Sequence, residues 1–290
     1  HASFDFWANK KLLPIQEDET ALVIWALWEH YNRYRDIEFV RKLYRPLITR
    51  AADFMSNFRH ETNLPAPSWN LWEDRYGIHT FTSASVVGGL RAAAKFANLF
   101  GETTRAADYK QAADEIIAAM REYLYSRERE RFLRSFQFHA DERAEPDATI
   151  DASLFGAFYL GAFDAKDEMV KRTMRAVEEK LWVETEIGGV ARFENDGYMR
   201  IGTDAPSNAW FICTLWLANY RIAIAESKED LRGALELLEW TAKRALPSGV
   251  LAEQVDPFDG SPVSVAPLTW SHSTFVATVM NYLTKLRQLR

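Results

Sequence analysis

One cysteine is all that the 290 residues contain. Cys213 has no partner within the chain, so an internal disulfide framework is excluded and the compartment stays open. Histidine is scarce too: the six lie at positions 1, 30, 60, 79, 139 and 272, with no helical pair and no cysteine beside them. A His/Cys zinc site is therefore not expected, and nothing calls for a metal or other cofactor. No apolar run reaches the ~18–20 residues that a membrane span requires. Basic residues do not dominate: 35 Lys and Arg against 41 Asp and Glu leave a net charge of −6. That balance argues against nucleic acid and anionic membranes as partners. The chain opens on His1 without a methionine or a signal-like segment, so a mature form or a piece of a longer protein is expected.

Aromatic residues are abundant instead, with 10 Trp, 11 Tyr and 18 Phe. Tryptophan at this density suits a cleft for a carbohydrate or another flat ligand, although most rings are core. The stretch PAPSWNLWEDRYGIHTFT, residues 65–82, centres on Trp72-Glu73-Asp74-Arg75. Its prolines disfavour a helix before it. Two adjacent carboxylates between an indole and a guanidinium are a candidate for acid catalysis, because a like charge and apolar walls both raise a carboxyl pKa. The plain alternative is an exposed loop with solvated charges.

Hydrophobic periodicity predicts nine helices of two kinds. Residues 17–35, 82–101, 150–163, 206–225 and 270–288 are apolar on nearly every side and read as buried. Residues 37–60, 103–127, 166–181 and 228–246 carry one apolar stripe each and read as half-exposed. In 37–60 the stripe is Ile37, Val40, Tyr44, Leu47, Ala51, Phe54 and Phe58, with a bend at Pro46. Connections from buried to half-exposed helices are one or two residues. Those leading the other way, 61–81, 128–149, 182–205 and 247–269, each exceed 20 residues. Loops of that length are usually functional, and short turns between antiparallel neighbours send them all to one end. The two alternations predict an all-α fold, a ring of buried helices inside a ring of amphipathic ones. A solenoid of helix pairs is the competitor.

The long loops supply Trp72, Glu73, Asp74 and Arg75; then Arg192, Asp196 and Tyr198 with Trp210 following; then Glu253 and Gln254. The N-terminal segment adds Gln16 and Asp18. Carboxylates, arginines and tryptophans around one crevice suit a neutral, polyhydroxylated ligand such as a sugar.

Four motifs, LPIQEDETALVIW, PSWNLWEDRYGIHTFTSA, GGVARFENDGY followed by SNAWFICTLW, and LAEQVDP with SPVSVAPLTWSH, carry a resemblance to glycoside hydrolase family 15, the glucoamylase-like enzymes. They occur in the family's order across nearly the whole chain. The resemblance implies an (α/α)6 toroid, one catalytic domain over residues 1–290, and inverting hydrolysis of terminal α-linked glucose. Glu73 matches the general acid and Glu253 the general base. Trp72, Asp74, Arg192, Asp196 and Trp210 match residues lining the sugar subsites, and Gln16 and Asp18 fall near the glucose pocket. Core packing is the plainer account of Trp72 and Trp210, and a mutual salt bridge that of Arg192 and Asp196. His79 and His272 read as structural hydrogen-bonders, and Cys213 as inert core.

The implied partner is an α-glucan oligosaccharide or an α-glucoside disaccharide; linkage stays open among maltooligosaccharide, isomaltose-type and trehalose. Against the resemblance, the family's Trp-x-Arg-Asp element is absent, and about nine of twelve helices are present. An incomplete toroid lacking its N-terminal helices is expected, with association through the open side. A non-catalytic glucoamylase-like module for regulation or carbohydrate binding is the alternative function. A zinc-dependent transferase on the same kind of fold is disfavoured by the missing ligands.

Overall fold

The computed structural model describes residues 15–138, 144–205 and 207–289. His1, His139, the start of the first motif and the residue expected to open the helix at 206 lie outside them. The chain divides into two compact units. The first runs to Ala148 and takes in Gly156–Phe163; the second holds Thr149–Phe155 and the chain from Asp164.

In the first unit, α1 (Glu17–Tyr34) is followed by α2 (Ile37–Leu43), a π-helical turn over Tyr44–Thr49, and α3 (Arg50–Asn57). The π turn corrects the predicted stripe. Pro46 lies within it and has no N–H for the α ladder, and the turn adds one residue to the helical path. Val40 and Tyr44 are buried as expected. Beyond them the inward residues are Ile48, Ala52 and Met55, one position later than Leu47, Ala51 and Phe54, and Phe54 is 37% exposed.

Next come β1 (Ser68–Trp69), β2 (Tyr76–His79) and α4 (Thr80–Leu99), which is buried without interruption from Thr80 to Leu90. α1 packs on α4 so closely that a Cβ on Gly89 would lie 3.0 Å from the Ala21 backbone. Trp28 meets Phe96 edge-on at 5.0 Å. Both contacts share one sequence offset, so α1 and α4 run parallel and start at the same end. α5 (Thr103–Ala119) ends in a second π turn, Met120–Leu124. The stripe its periodicity predicts, Ala106, Tyr109, Ala113, Ile116, Met120 and Leu124, is buried at each of these positions.

The loop 128–149 is not structureless. β3 (Tyr125–Ser126) pairs with β4 (Arg131–Phe132), while β5 (Ser135–Phe138) and β6 (Ala144–Asp147) join β1 and β2 in a sheet of order β1-β2-β5-β6. The two long loops of this unit are thus knitted together at the entrance to α4. Gly77 is where they come nearest: a Cβ there would sit 2.3 Å from the Phe136 carbonyl oxygen.

The helix expected over 150–163 does not form. A 3-10 turn, Ala152–Phe155, and a single α turn, α6 (Gly156–Tyr159), stand in its place. The backbone at its start is already bonded elsewhere. Ala152 N–H donates to the Arg192 carbonyl at 2.9 Å, the Ile150 carbonyl accepts from Glu194 N–H at 3.0 Å, and Asp151 Oδ1 accepts from Ser153 N–H at 2.8 Å. Gly161 then turns the chain with φ of 81°.

In the second unit α7 (Glu168–Leu181) buries Val170, Met174, Val177 and Leu181 as its stripe requires. β7 (Ala209–Trp210) leads directly into α8 (Phe211–Ile224), buried at every position from Phe211 to Tyr220. α9 (Arg232–Lys243) flanks it. β8 (Gln254–Val255) pairs with β7 on one side and β9 (Pro262–Val263) on the other. α10 (Thr269–Gln288) runs parallel to α8: Trp270 meets Trp216, and Thr278 and Asn281 hydrogen-bond Asn219.

Two helices predicted to be buried all round are not. In α10 only Ser271 and Thr278 are fully buried, and Val276 is 61% exposed. In α1 Val23 and Tyr34 are exposed. Apolar composition states what a helix is able to bury, not how many neighbours it meets. Among the described residues, no helix is long and apolar enough to cross a membrane.

Candidate functional site

In the first unit the predicted residues gather around a side chain that sequence reading passed over, Asn70. β1 and β2 form a hairpin with Ser68 opposite Gly77 and Trp69 opposite Tyr76. The six residues between them close on Asn70. Its N–H donates to the Arg75 carbonyl at 3.0 Å, and its carbonyl accepts from Glu73 N–H at 2.9 Å. Its Oδ1 accepts from Asp74 N–H at 3.0 Å and Arg75 N–H at 3.1 Å, while Nδ2 donates to Asp74 Oδ1 at 2.8 Å. An asparagine opening a turn in this way is the one sequence signal that marked it. The wrapped turn holds Glu73 at φ of 58°, a left-handed conformation that non-glycine residues seldom adopt and that clusters at functional sites. Glu73 and Asp74 are exposed, and Trp72 and Arg75 are half-buried. Arg75 stands 3.8 Å from Asp74.

α1 begins against this turn. Gln16 Nε2 donates to the Asn70 carbonyl at 3.0 Å, and Trp69 N–H donates to the Ile15 carbonyl at 2.9 Å. Asp18 and Glu17, the latter also unforeseen, are fully buried in the first helical turn and have no side-chain partner among the described residues. Burial pushes the Glu17 carboxyl up to about 9, with the Asp18 charge adding to it. Burial likewise raises Asp18 to about 7; the charges of Glu19 and Glu73 add, and amides at the helix start work against them. Asp18 therefore feels Glu73. His79, at the head of α4, donates from Nε2 to the Ser68 carbonyl at 3.2 Å, and burial holds it down at about 4. It is a neutral structural residue.

The second unit assembles Arg192, Asp196 and Trp210. Arg192 Nε and Nη2 each donate to one oxygen of Asp196 at 2.8 Å, a bidentate pair in which Asp196 is 1% exposed. Asp196 Oδ1 also accepts from Tyr198 N–H at 3.0 Å. The guanidinium lies 4.9 Å from the Trp210 ring, 5.3 Å from Tyr198 and 4.6 Å from Phe193. Trp210 is itself buried, at 3% exposure. The 3-10 segment at 152 positions this loop through the Arg192 carbonyl.

Glu253 is half-buried and adjoins β8. Its carbonyl accepts from Phe211 N–H at 3.3 Å, its N–H donates to Val265, and Gln254 Nε2 donates to its Oε2 at 3.1 Å. His272 Nε2 accepts from Leu251 N–H at 3.0 Å and so supports the same loop. Cys213 is buried, and desolvation pushes its thiol well up. Among the described residues no group of three His, Cys, Asp or Glu side chains could hold a metal ion.

Known proteins resemble this chain in sequence and in fold. The model of the glycosyl hydrolases family 15 covers residues 6–280. The chain belongs to glycosyl hydrolase family 15. Within it, an uncharacterized glycosyl hydrolase of Methanocaldococcus jannaschii is 27% identical over 95% of the chain and 43% of its own length. Trehalase 2 of Sulfolobus acidocaldarius is 24% identical over 94% and 43%. A bacterial glucoamylase solved in complex with acarbose superposes with a TM-score of 0.76 at 22% identity, over 94% of this chain and 42% of that one. The chain thus has the glucoamylase fold and spans less than half the length of these family members.

Proposed function

We propose that the protein carrying this chain hydrolyses terminal α-linked glucose from oligo- or polysaccharides, or splits an α-glucoside disaccharide, with inversion. One observation supports it above the others. Each unit presents a glutamate beside a short strand system that feeds a buried, nearly uncharged helix: Glu73 beside β2 and α4, Glu253 beside β7, β8 and α8.

In this reading both units serve one catalytic domain, whose helices close into an (α/α)6 toroid. Glu73 protonates the glycosidic oxygen, and Glu253 takes a proton from the water that attacks the opposite face of the ring. The pair then stands ~6.5–9.5 Å apart, leaving room for that water. Trp72, Asp74, Arg75, Gln16, Asp18, Arg192, Asp196 and Trp210 contact the sugar or hold the groups that do. The acarbose bound by the similar glucoamylase is a saccharide-like ligand of the class this set of groups would bind.

The test is proton NMR of the first product released by the complete protein from maltose, isomaltose and trehalose. β-Glucose appearing first is expected from maltose or isomaltose, or β- and α-glucose in equal amounts from trehalose, whose leaving glucose keeps its own α bond. α-Glucose first would remove the inverting mechanism, and no glucose from any of the three would remove the hydrolase reading.

A further inference from the structure

The amide of Asn208 cannot be turned round. Its Oδ1 accepts from Ile201 N–H at 3.0 Å, and its Nδ2 donates to the Met199 carbonyl at 2.8 Å. A backbone N–H only donates and a backbone carbonyl only accepts, so these two contacts fix which end is oxygen. The same Nδ2 donates to Gln254 Oε1 at 2.8 Å. That forces the other end of the Gln254 amide, Nε2, toward Glu253 Oε2, where it donates at 3.1 Å. Both amides are completely buried, with no exposed surface for water to compete. The polarity of a backbone segment, 199–201, is thereby passed through two side chains to one carboxylate oxygen.

We propose that Asn208 is a positioning residue for the Glu253 carboxylate, acting through Gln254. The inference rests on the assignment of Glu253 as the base. Without Asn208 the Gln254 amide has two orientations, one of which aims its oxygen at Glu253 and repels the ionised form that must accept a proton from water. Asn208 also ties the strand system of Glu253 to the loop of Arg192, Asp196 and Tyr198, since Met199 and Ile201 continue that loop. Sugar contact and proton acceptance are in this way held in one register.

The test is a double-mutant cycle on the complete protein with α-glucosyl fluoride and with maltose. Asn208→Asp keeps the acceptor for Ile201 and the shape of the side chain, but it turns a donor toward Gln254 into an acceptor, so the Gln254 amide must reverse. The expected result is a fall in kcat of about ten- to hundredfold on both substrates, the range that one hydrogen bond to a charged group spans. KM should stay within about threefold, because the sugar contacts remain. In a Gln254→Ala background the same Asn208→Asp change should cost less than about twofold further, because it then has no amide to reverse. Thermal unfolding of all four proteins checks that each is folded.

An equal loss from Asn208→Asp in both backgrounds would overturn the proposal, since damage at the Met199 carbonyl does not depend on Gln254. A rise in KM with unchanged kcat would overturn it as well. Glu253→Gln is run beside them: if that variant keeps full turnover, the assignment of the base fails. If it is inactive while the cycle is additive, only the role of Asn208 fails.

Discussion

Gln16 and Asn70 meet in one hydrogen bond, Nε2 to backbone carbonyl at 3.0 Å, on the same oxygen that takes the N–H of Glu73 at 2.9 Å. The start of α1 and the turn of the candidate acid are therefore held by a single carbonyl. The Asn70 N–H closes the turn on the Arg75 carbonyl, and the Asn70 side chain adds three hydrogen bonds to Asp74 and Arg75. At about 1 kcal/mol each, Asn70→Ala should lower stability by about 2–3 kcal/mol in urea unfolding. Turnover of maltose should fall at least ~100-fold, because a misplaced catalytic group alone costs that much. A variant with full activity and unchanged stability would show that the turn holds its shape without Asn70.

Glu17 and Asp18 make stability depend on pH in a stated direction. Both keep a proton in the folded chain that the unfolded chain has lost, between 4.5 and about 9 for Glu17 and between 3.8 and about 7 for Asp18. Their contribution is present below those windows and is lost as pH rises through them, at about 1.4 kcal/mol per pH unit for each group. His79 acts the other way. Held at about 4 against an ordinary 6.5, it favours the folded state above 6.5 and loses that contribution as pH falls toward 4. Above about 6.5 only the carboxyls act. Tm should therefore fall from pH 7 to 9, and Glu17→Gln should flatten most of that fall. An identical slope in the variant would show that Glu17 is not its source.

Gly77 should tolerate no side chain. The 2.3 Å approach of an added Cβ to the Phe136 carbonyl leaves backbone as the only thing able to move. Gly77→Ala should destabilise by about 2 kcal/mol or more through the strain of overpacking. It should also part the β2–β5 pairing that joins the two long loops. Denaturant unfolding reads the first effect, and hydrogen exchange at Ile78 and His79 reads the second. Unchanged protection there would mean that the sheet absorbs the extra atom.

Acid and base separate by leaving group. Fluoride departs without a proton, so Glu73→Gln should abolish turnover of ordinary glucosides while sparing α-glucosyl fluoride. Glu253→Gln should impair both substrates. General acid–base groups typically contribute ~10²–10⁴-fold each. Matching losses on both substrates for both variants would show that the two roles are not divided in this way.

The amino-acid pattern alone determined most of the long helices, 150–163 excepted, and which stripes of α5 and α7 turn inward, because helical periodicity is a local property of the chain. It also placed Glu73, Asp74 and Arg75 on one loop and Glu253 on another, and its four motifs named the family.

Only the tertiary structure decided the rest. The π turn at Tyr44–Thr49 moved the inward face of α3 by one residue, and no periodicity shows an inserted residue in advance. The segment 150–163 gave up its helix because its backbone found partners at Arg192 and Glu194, distant in sequence. The loops 61–81, 128–149 and 247–269 acquired short strands for the same reason, since strand pairing needs a second segment that composition does not reveal. Asn70, Glu17 and Asn208 went unread because each owes its role to neighbours: the first to a turn closed around it, the second to burial that keeps a carboxyl protonated, the third to two backbone groups that fix the sense of its amide. Residue type sets what a group is able to do; packing sets the partners and the dielectric in which it does it.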